Sequence, residues 1–339
     1  MSKSNAFLLA VAAIAIVAAA WYRQQVFREP PQPTTLHVAF VTGGSGPYWQ
    51  SSIRGAEAAA KEYHIEIDVE TPASDESLEQ QTSLLAQLKY SDLDGVAVSP
   101  LNAEEQTPLI NRIQQETNLV TFDSDAPLSQ RRGHVGTSNY GAGALCAQLV
   151  GEAIPDGGPV LVLLANLTKE NLIDRKAGFE DALKRRGLEN GDEPAPPEIT
   201  VVDYFVDNGD DAACAAGISR TIGEHEDLAC IVGMNARHGP IILSTLKELD
   251  RLGSIKAVTF DAEAPTLQGV EDGAIYATIA QDPYKYGYEA VRMLHSLAHD
   301  GASDVPIVGG GTINITAEAI RQSDVQGFRE RLQSRAAPK

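Results

Sequence analysis

The sequence has 339 residues, of which 43% are hydrophobic and 22% are charged, and this is typical of a globular protein with two lobes of ordinary size. Its 46 acidic side chains outnumber the 27 basic ones and give a formal net charge of −19. A field of this sign repels a phosphate backbone, so nucleic acid is excluded as a partner.

The first segment is an apolar stretch from Ala6 to Ala20 that follows Lys3. It is shorter than the about 20 residues that span a bilayer and ends in three alanines that suit signal peptidase, so an export signal peptide is favoured. Trp21 and Tyr22 directly after it keep a retained membrane anchor as the alternative. A Pro-rich spacer completes residues 1–35. Both alternatives place the body of the chain in the periplasm or otherwise outside the cytoplasm.

Beyond Thr35, short apolar runs alternate with segments of helical periodicity. Ten runs are predicted to be strands, at residues 36–42, 65–70, 95–98, 119–122, 133–136, 160–164, 199–205, 229–233, 256–260 and 275–280. This alternation predicts two parallel sheets covered by helices on both faces, with a break near residues 136–138. Residues 188–198 are rich in proline and acid and are predicted to form a surface loop.

A glycine-rich loop, "TGGSGPYWQSS" at residues 42–52, follows the first predicted strand. It does not fit a dinucleotide fingerprint, because Trp49 stands where a third glycine is required, and it lacks the lysine of a P-loop. Pro47 also removes a backbone donor that a phosphate would need, so no nucleotide or other cofactor is predicted. The loop presents Tyr48 and Trp49 at the sheet edge where ligands bind, and aromatic faces suit the C–H faces of a sugar. The alternative is that both rings belong to the core.

Polar side chains follow several of the other predicted strands, at the same edge of the sheets. They are Ser99, Asp123, Ser124, Asp125, Asn235, Asp261 and Gln281, with Arg175 at the start of a helix. Each aspartate taken alone is equally typical of a helix cap. Together, the carboxylates, amides and guanidinium supply the acceptors, donors and planar fork that neighbouring hydroxyls need. The set therefore predicts a site for a polyhydroxyl ligand.

The three cysteines, Cys146, Cys214 and Cys230, form no CxxC pair, so zinc and thioredoxin-type motifs are excluded. A disulfide between Cys214 and Cys230 stays open. His238 and the other six histidines show no metal-binding spacing such as HExxH, and no metal site is predicted.

Eight motifs in order resemble those of bacterial periplasmic sugar-binding proteins of the ribose-binding type, the solute receptors of ABC importers. They are "VAFVTGGSGPYW", "DGVAVSP", "LVTFDSD", "VGTSNYGAG", "DRKAGFEDAL", "VGMN", "VTFDAE" and "ATIAQDPYKYG". The resemblance implies an α/β fold of two Rossmann-like lobes, with parallel sheets flanked by helices and joined by three hinge crossovers. The implied N-terminal lobe comprises residues 36–137 and 282–311, and the C-terminal lobe comprises residues 138–281 and 312–339.

The resemblance also implies which residues contact the ligand. Ring stacking falls on Tyr48, Trp49 and Phe260, and hydroxyl binding falls on Thr42, Ser99, Asp123, Arg175, Asn235, Asp261 and Gln281. Ser124 is included beside Asp123, although the ribose type has an arginine there; Gly46 and Ala236 likewise replace an asparagine and an aspartate. Because the missing arginine makes the cleft more acidic, a neutral polyol, a different pentose and an amino-bearing sugar stand beside ribose as equal alternatives for the ligand.

The resemblance implies a monomeric binding protein with no catalytic residues, whose lobes close on a small sugar or polyol and present it to an ABC transporter permease. A membrane-anchored sensor that reports sugar occupancy to a signalling partner is the first alternative. A regulator of the lactose-repressor kind is a weaker one, since the apolar segment stands where its helix-turn-helix would be. A glycosidase that uses Asp123, Asp125 and Asp261 as acid and base is the enzymatic alternative.

Overall fold

The computed structural model describes residues 21, 35–74, 76–186, 196–299, 306 and 310–336, without the side chains of 334–336. The predicted signal peptide or anchor, the spacer and most of the predicted loop at 188–198 lie outside the described residues. The chain divides into two units, Met1–Thr35 and Leu36–Lys339, and the fold below is that of the second. Within the described part of the chain, no helix has the length and apolar character needed to cross a bilayer.

The first lobe is built on a parallel sheet of six strands in the order β2-β1-β3-β4-β5-β11. Its chain order is β1 (His37–Val41), α1 (Pro47–Tyr63), β2 (Glu66–Glu70), α2 (Leu78–Gln87), a 3₁₀ turn (Tyr90–Asp92), β3 (Gly95–Val98), α3 (Ala103–Glu116), β4 (Asn118–Phe122) and β5 (Gly133–Gly136). The helix α9 (Pro283–His299) and the strand β11 (Thr312–Asn314) join this lobe from the far end of the chain.

The second lobe is built on a sheet in the order β7-β6-β8-β9-β10-β12, in which only β12 is antiparallel. Its chain order is α4 (Asn139–Ala153), β6 (Gly158–Leu164), α5 (Glu170–Arg186), β7 (Ile199–Val206), α6 (Asp211–Glu224), β8 (Cys230–Gly233), α7 (His238–Glu248), β9 (Lys256–Phe260), α8 (Ala264–Glu271) and β10 (Ala277–Ala280). After β11, the chain adds β12 (Glu318–Arg321), a 3₁₀ turn (Gln322–Asp324) and α10 (Val325–Ala336).

The chain therefore passes between the lobes three times, after β5, after β10 and after β11. This confirms the predicted fold class and the ten predicted strands. Because β11 pairs with β5 in the first sheet, the third crossing lies after residue 314, and the expected limit at residue 311 is wrong by three residues. The limits at residues 137 and 281 stay predictions. The strands β11 and β12 were not expected, because three- and four-residue strands without an apolar run give no periodic signal.

Both faces of each sheet are covered, which explains the continuous apolar runs of its strands. Neighbouring residues Val162 and Leu163 of β6 belong to different buried clusters on opposite faces. In the first lobe, the ring of Phe40 stacks on that of Phe122, with centroids 4.3 Å apart.

The two lobes repeat the same tetrapeptide, Val-Thr-Phe-Asp, at the ends of β4 and β9. In both, the aspartate has a left-handed backbone, with φ of 61° at Asp123 and 67° at Asp261, a region that aspartate tolerates better than most residues. The backbone N–H of each donates to the neighbouring strand, Asp123 to Val135 at 2.9 Å and Asp261 to Ile279 at 2.8 Å. The two aspartates therefore occupy equivalent positions in the two lobes.

Close helix packing also recurs in both lobes. A Cβ on Gly55 of α1 would lie 1.9 Å from the carbonyl oxygen of Tyr284 in α9, and one on Gly143 of α4 would lie 2.0 Å from that of Arg175 in α5. No side chain fits at such distances, so glycine is required for each helix pair to touch. In the second lobe this contact sets the position of Arg175.

Candidate ligand-binding cleft

A cavity of about 300 Å³ lies between the lobes, where the carboxyl ends of strands from both sheets converge. Seven of the eleven predicted site residues line it, namely Tyr48, Trp49, Asp123, Arg175, Asn235, Asp261 and Gln281. The cavity therefore brings together side chains that are up to 233 positions apart in the sequence, from Tyr48 to Gln281. The convergence follows from the parallel topology, which directs all carboxyl ends to one edge.

The two aromatic residues stand at the start of α1, which begins at Pro47 after Gly46. Their rings meet edge to face with centroids 5.3 Å apart, and Trp49 also meets Phe122 edge to face. Trp49 is only 5% exposed and belongs to the core cluster of the first lobe, yet it lines the cavity. Trp49 is thus a core residue that also forms part of the cavity wall, and its contact with a ligand stays a prediction.

Asp123 is held in place by two hydroxyl groups. The Tyr48 hydroxyl donates to its Oδ1 at 2.5 Å, and the Ser99 hydroxyl donates to its Oδ2 at 3.1 Å. Burial, together with the charge of Asp123, raises the pKa of Tyr48 well above its ordinary value, so the phenol remains a donor. The carboxylate keeps lone pairs for a ligand, since each oxygen accepts two bonds.

On the opposite side of the cavity, Gln281 links Asp261 to Arg175. Its Nε2 donates to Oδ1 of Asp261 at 2.8 Å, and its Oε1 accepts from Nη2 of Arg175 at 2.7 Å. The guanidinium also donates to the Met234 carbonyl at 2.8 Å and to Asn139 at 2.9 Å. With three of its five N–H groups committed, Arg175 is held rigidly and retains donors for a ligand.

Burial is the main cause that raises the pKa of Asp261 to about 6; Arg175, Gln281 and Lys169 oppose the shift, and the negative charge of Asp123 adds to it. Two carboxylates from opposite lobes thus act on each other within one cavity. The arrangement offers hydroxyl acceptors, amide and guanidinium donors and aromatic faces in a single enclosed space.

A family model described as periplasmic binding protein domain matches residues 38–303, which is most of the chain. The chain belongs to the periplasmic binding protein family. The resemblance to periplasmic sugar-binding proteins that the sequence motifs indicate is thereby confirmed.

Individual relatives agree with this assignment. A D-ribose/D-allose-binding protein from Pseudomonas aeruginosa is 22% identical over 236 residues, covering 67% of this chain and 70% of the relative. The crystal structure of GanP, a glucose-galactose binding protein from Geobacillus stearothermophilus, is 27% identical with a TM-score of 0.77, covering 86% of this chain and 98% of that one. A solute-binding protein from Burkholderia graminis, solved in complex with D-arabinose, shares the fold at 24% identity, with a TM-score of 0.78 and coverage of 87% and 98%.

Four predicted site residues of this periplasmic binding protein lie outside the cavity lining: Thr42, Ser99, Ser124 and Phe260. The Thr42 hydroxyl donates to the Gly44 carbonyl at 2.7 Å and shapes the glycine loop, while Ser99 holds Asp123. Ser124 is fully buried, and no described residue forms a hydrogen bond with its hydroxyl. The centroid of the Phe260 ring lies 4.6 Å from Cζ of Arg175, so this ring supports the guanidinium. Phe260 is the last residue of β9, and since successive residues of a strand point to opposite faces, it turns away from the cavity that Asp261 lines.

Asp125, one of the three carboxylates in the glycosidase alternative, also lies outside this cavity. It accepts from Arg131 at 2.5 and 2.6 Å and from the Thr121 hydroxyl at 2.6 Å. Burial opposes its ionisation, but His134 and Arg131 together lower the pKa of Asp125. Its partners give it a structural role.

Sequence reasoning missed cavity residues in both lobes, among them Glu76, Lys169 and Glu263, which lie outside the helices and strands, and Asn171 in the first turn of α5. Nζ of Lys169 lies 3.2 Å from Oε1 of Glu76 and 5.4 Å from the Trp49 ring, so this ion pair joins the lobes. Lys169 and Asn171 come five and seven residues after the end of β6, too far from the strand for the rule used at the other strand ends. Glu76 precedes α2 in a loop that carries no such signal.

The three crossings of this periplasmic binding protein meet at one hydrogen-bonded cluster. The hydroxyls of Thr137 and Tyr286 are 2.5 Å apart, and Thr137 also donates to the Ile315 carbonyl at 2.7 Å. The Tyr286 hydroxyl in turn donates to Gln281 at 3.3 Å. The segments that connect the lobes are therefore in direct contact with a cavity residue.

All three cysteines are buried and free, so the disulfide left open between Cys214 and Cys230 is absent. Among the described residues, Asp207, Cys214 and His238 form one cluster whose side-chain ligand atoms lie within 4.8 Å of one another. Nε2 of His238 lies 2.8 Å from Oδ2 of Asp207. The cluster lies outside the cavity lining.

Proposed function

We propose that this protein is an extracytoplasmic solute receptor that binds a monosaccharide or polyol between its lobes and delivers it to an ABC transporter permease. The observation that carries the proposal is the cavity, in which two aromatic rings and five hydroxyl-pairing side chains from both lobes converge. Its relatives include proteins described as binding ribose, allose, glucose or galactose.

The size of the cavity supports a small ligand. Its volume of about 300 Å³ stands at the lower end of the range for small-molecule sites, which runs from about 300 to 1,000 Å³. A single sugar ring fills such a space, with its C–H face against Trp49 and its hydroxyls on Asp123, Arg175 and Asp261. Specificity follows because each buried polar group left without a partner costs about 1–3 kcal/mol.

Ligand-driven closure of the lobes supplies the transport signal. The cavity draws residues from both lobes, so a ligand binds fully only when the lobes are together, and the three crossings serve as the hinge. To shift such an equilibrium from mostly open to mostly closed, the ligand must favour the closed form by about 5.5 kcal/mol. The closed protein, a monomer, is the form that the permease recognises, and no catalysis is involved.

Titration calorimetry with a panel of aldoses, ketoses and polyols tests this function. The Asp261→Ala variant should lose at least about tenfold in affinity, because a hydrogen bond to a charged group contributes about 1.5–3 kcal/mol. Asp156→Ala, at an exposed aspartate outside the cavity, is the matched control, and circular dichroism verifies that both variants fold. Undiminished affinity in Asp261→Ala would place the sugar elsewhere.

A further inference from the structure

Among the charged side chains that line the cavity, acidic ones outnumber basic ones. Five carboxylate residues line it, against three lysine or arginine residues. Two of the cations are already neutralised by ion pairs, Lys169 with Glu76 and Arg237 with Asp211. Arg175 is the cation of this lining that forms no ion pair with a described carboxylate, and both Arg175 and Lys169 favour the charged form of Asp261.

The remaining acidic groups are Asp123, Asp261 and Glu263, none of which forms an ion pair with another described residue. Asp123 accepts only from neutral hydroxyls, and Asp261 accepts from the neutral amide of Gln281. Both aspartates are at least nine-tenths buried, where an uncompensated negative charge is costly. The lining thus carries about two negative charges more than its own cations neutralise.

The cavity lining also offers hydrogen-bond acceptors that lack a donor among the described residues. Asn171 lines the cavity and is 6% exposed, and no described residue donates a hydrogen bond to its buried Oδ1. The carboxylates of Asp123, Asp261 and Glu263 add further acceptors, whereas Arg237 and Lys169 each direct part of their donors to an acidic partner. The cavity therefore favours a ligand that carries a positive charge and hydrogen-bond donors.

We propose that the ligand of this cleft carries a protonated amine, as an amino sugar or amino polyol does, and that the ammonium group pairs with the carboxylates of Asp123 and Asp261. The inference rests on the proposed function and narrows its ligand class. An ammonium group offers three donors and no acceptor, so it supplies both the positive charge and the hydrogen-bond donors. A hydroxyl supplies one donor, needs a donor itself and leaves the negative charge of the carboxylates uncompensated.

Matched sugar pairs test the inference. Calorimetry near neutral pH compares D-glucosamine with D-glucose and D-galactosamine with D-galactose, with N-acetyl-D-glucosamine as the analogue whose nitrogen is uncharged. The amino sugar of at least one pair should bind about tenfold or more tightly than its neutral and N-acetyl partners, as charge-assisted bonds are roughly twice as strong as neutral ones. Mass spectrometry of the compound retained on natively purified protein should find a basic nitrogen.

Variants that remove one charge test which carboxylate causes the preference for the amino sugar. Asp123→Asn, which keeps the shape of the side chain, should abolish most of the preference for the amino sugar, and Asp261→Asn should do the same if the first variant does not fold. Asp156→Asn, at an exposed position outside the cavity, should retain the full preference.

The outcomes separate this inference from the function on which it rests. If neutral sugars bind as tightly as their amino partners, or if the retained ligand has no basic nitrogen, the proposed amine is refuted. The proposed function as a sugar receptor is not affected by either result. Failure of both series to bind, with no polyhydroxyl compound retained, overturns the receptor as well.

Discussion

The affinity of this protein for a neutral sugar should fall when the pH is lowered from about 7 to about 5, because Asp261 takes up a proton. Burial raises its pKa to about 6 from the ordinary 3.8. The ligand hydroxyl needs the carboxylate as acceptor, so binding competes with protonation. A group with a pKa near 6 is about nine-tenths ionised at pH 7 and about one-tenth at pH 5, and the affinity should drop about tenfold, or about 1.4 kcal/mol.

The stability of the ligand-free protein should change with the opposite sign. Since the folded-state pKa of Asp261 is the higher one, the native state binds more protons than the unfolded state between about pH 4 and 6. The contribution of this group is therefore present at low pH and is lost as the pH rises through 6. The difference between 3.8 and about 6 corresponds to about 3 kcal/mol.

Calorimetry at pH 5, 6 and 7 measures the affinity, and repeating the titration in buffers of different ionisation enthalpy detects the proton released on binding. Urea unfolding over the same pH range measures the stability. The Asp261→Asn variant, which cannot titrate, should bind weakly with a flat pH profile. An affinity that is constant or rises towards pH 5, or an Asn variant with the wild-type profile, would refute this role of Asp261.

Three further substitutions test the framework of the site. Gly143→Ala should lower the melting temperature and the sugar affinity, because its Cβ would lie 2.0 Å from the Arg175 carbonyl and overpacking costs about 1–3 kcal/mol. The control Gly223→Ala, whose Cβ would have no described atom within 4 Å, should leave both unchanged. Equal effects of the two substitutions would contradict the role of Gly143 in helix packing. Lys169→Met removes the ion pair between the lobes, so small-angle scattering should show a larger radius of gyration without ligand; an unchanged radius would count against this link. Thr137→Val removes the hydroxyl shared by the crossings and should cost about 1–3 kcal/mol in urea unfolding; a variant as stable as wild type would rule out that contribution.

Much of the site was predictable because the topology turns a local pattern into a three-dimensional one. An apolar run that ends in a polar residue identifies both a buried strand and its carboxyl end, and parallel sheets bring such ends to one edge. Asp123 and Asp261 were found in this way, and the repeat of Val-Thr-Phe-Asp before both reflects their equivalent places in the lobes.

Other parts of the site depended on side-chain directions and long-range contacts that the pattern of strand residues does not specify. Ser124 and Phe260 are sequence neighbours of cavity residues, but both are fully buried in the protein interior and do not line the cavity. Lys169 and Glu76 are 93 positions apart and meet only because the lobes touch. The short strands β11 and β12 gain their partners from β5 and β10 rather than from any pattern of their own.

Periodicity and strand-end chemistry were thus enough for the fold class, the ten main strands and the core of the cleft, because each is a local consequence of which side chains seek burial. The charge balance of the cleft, the contact between its crossings and the exclusion of Thr42 and Ser99 from its wall came only from the assembled lobes. These features depend on distances between residues far apart in the chain, which packing sets and no single segment encodes.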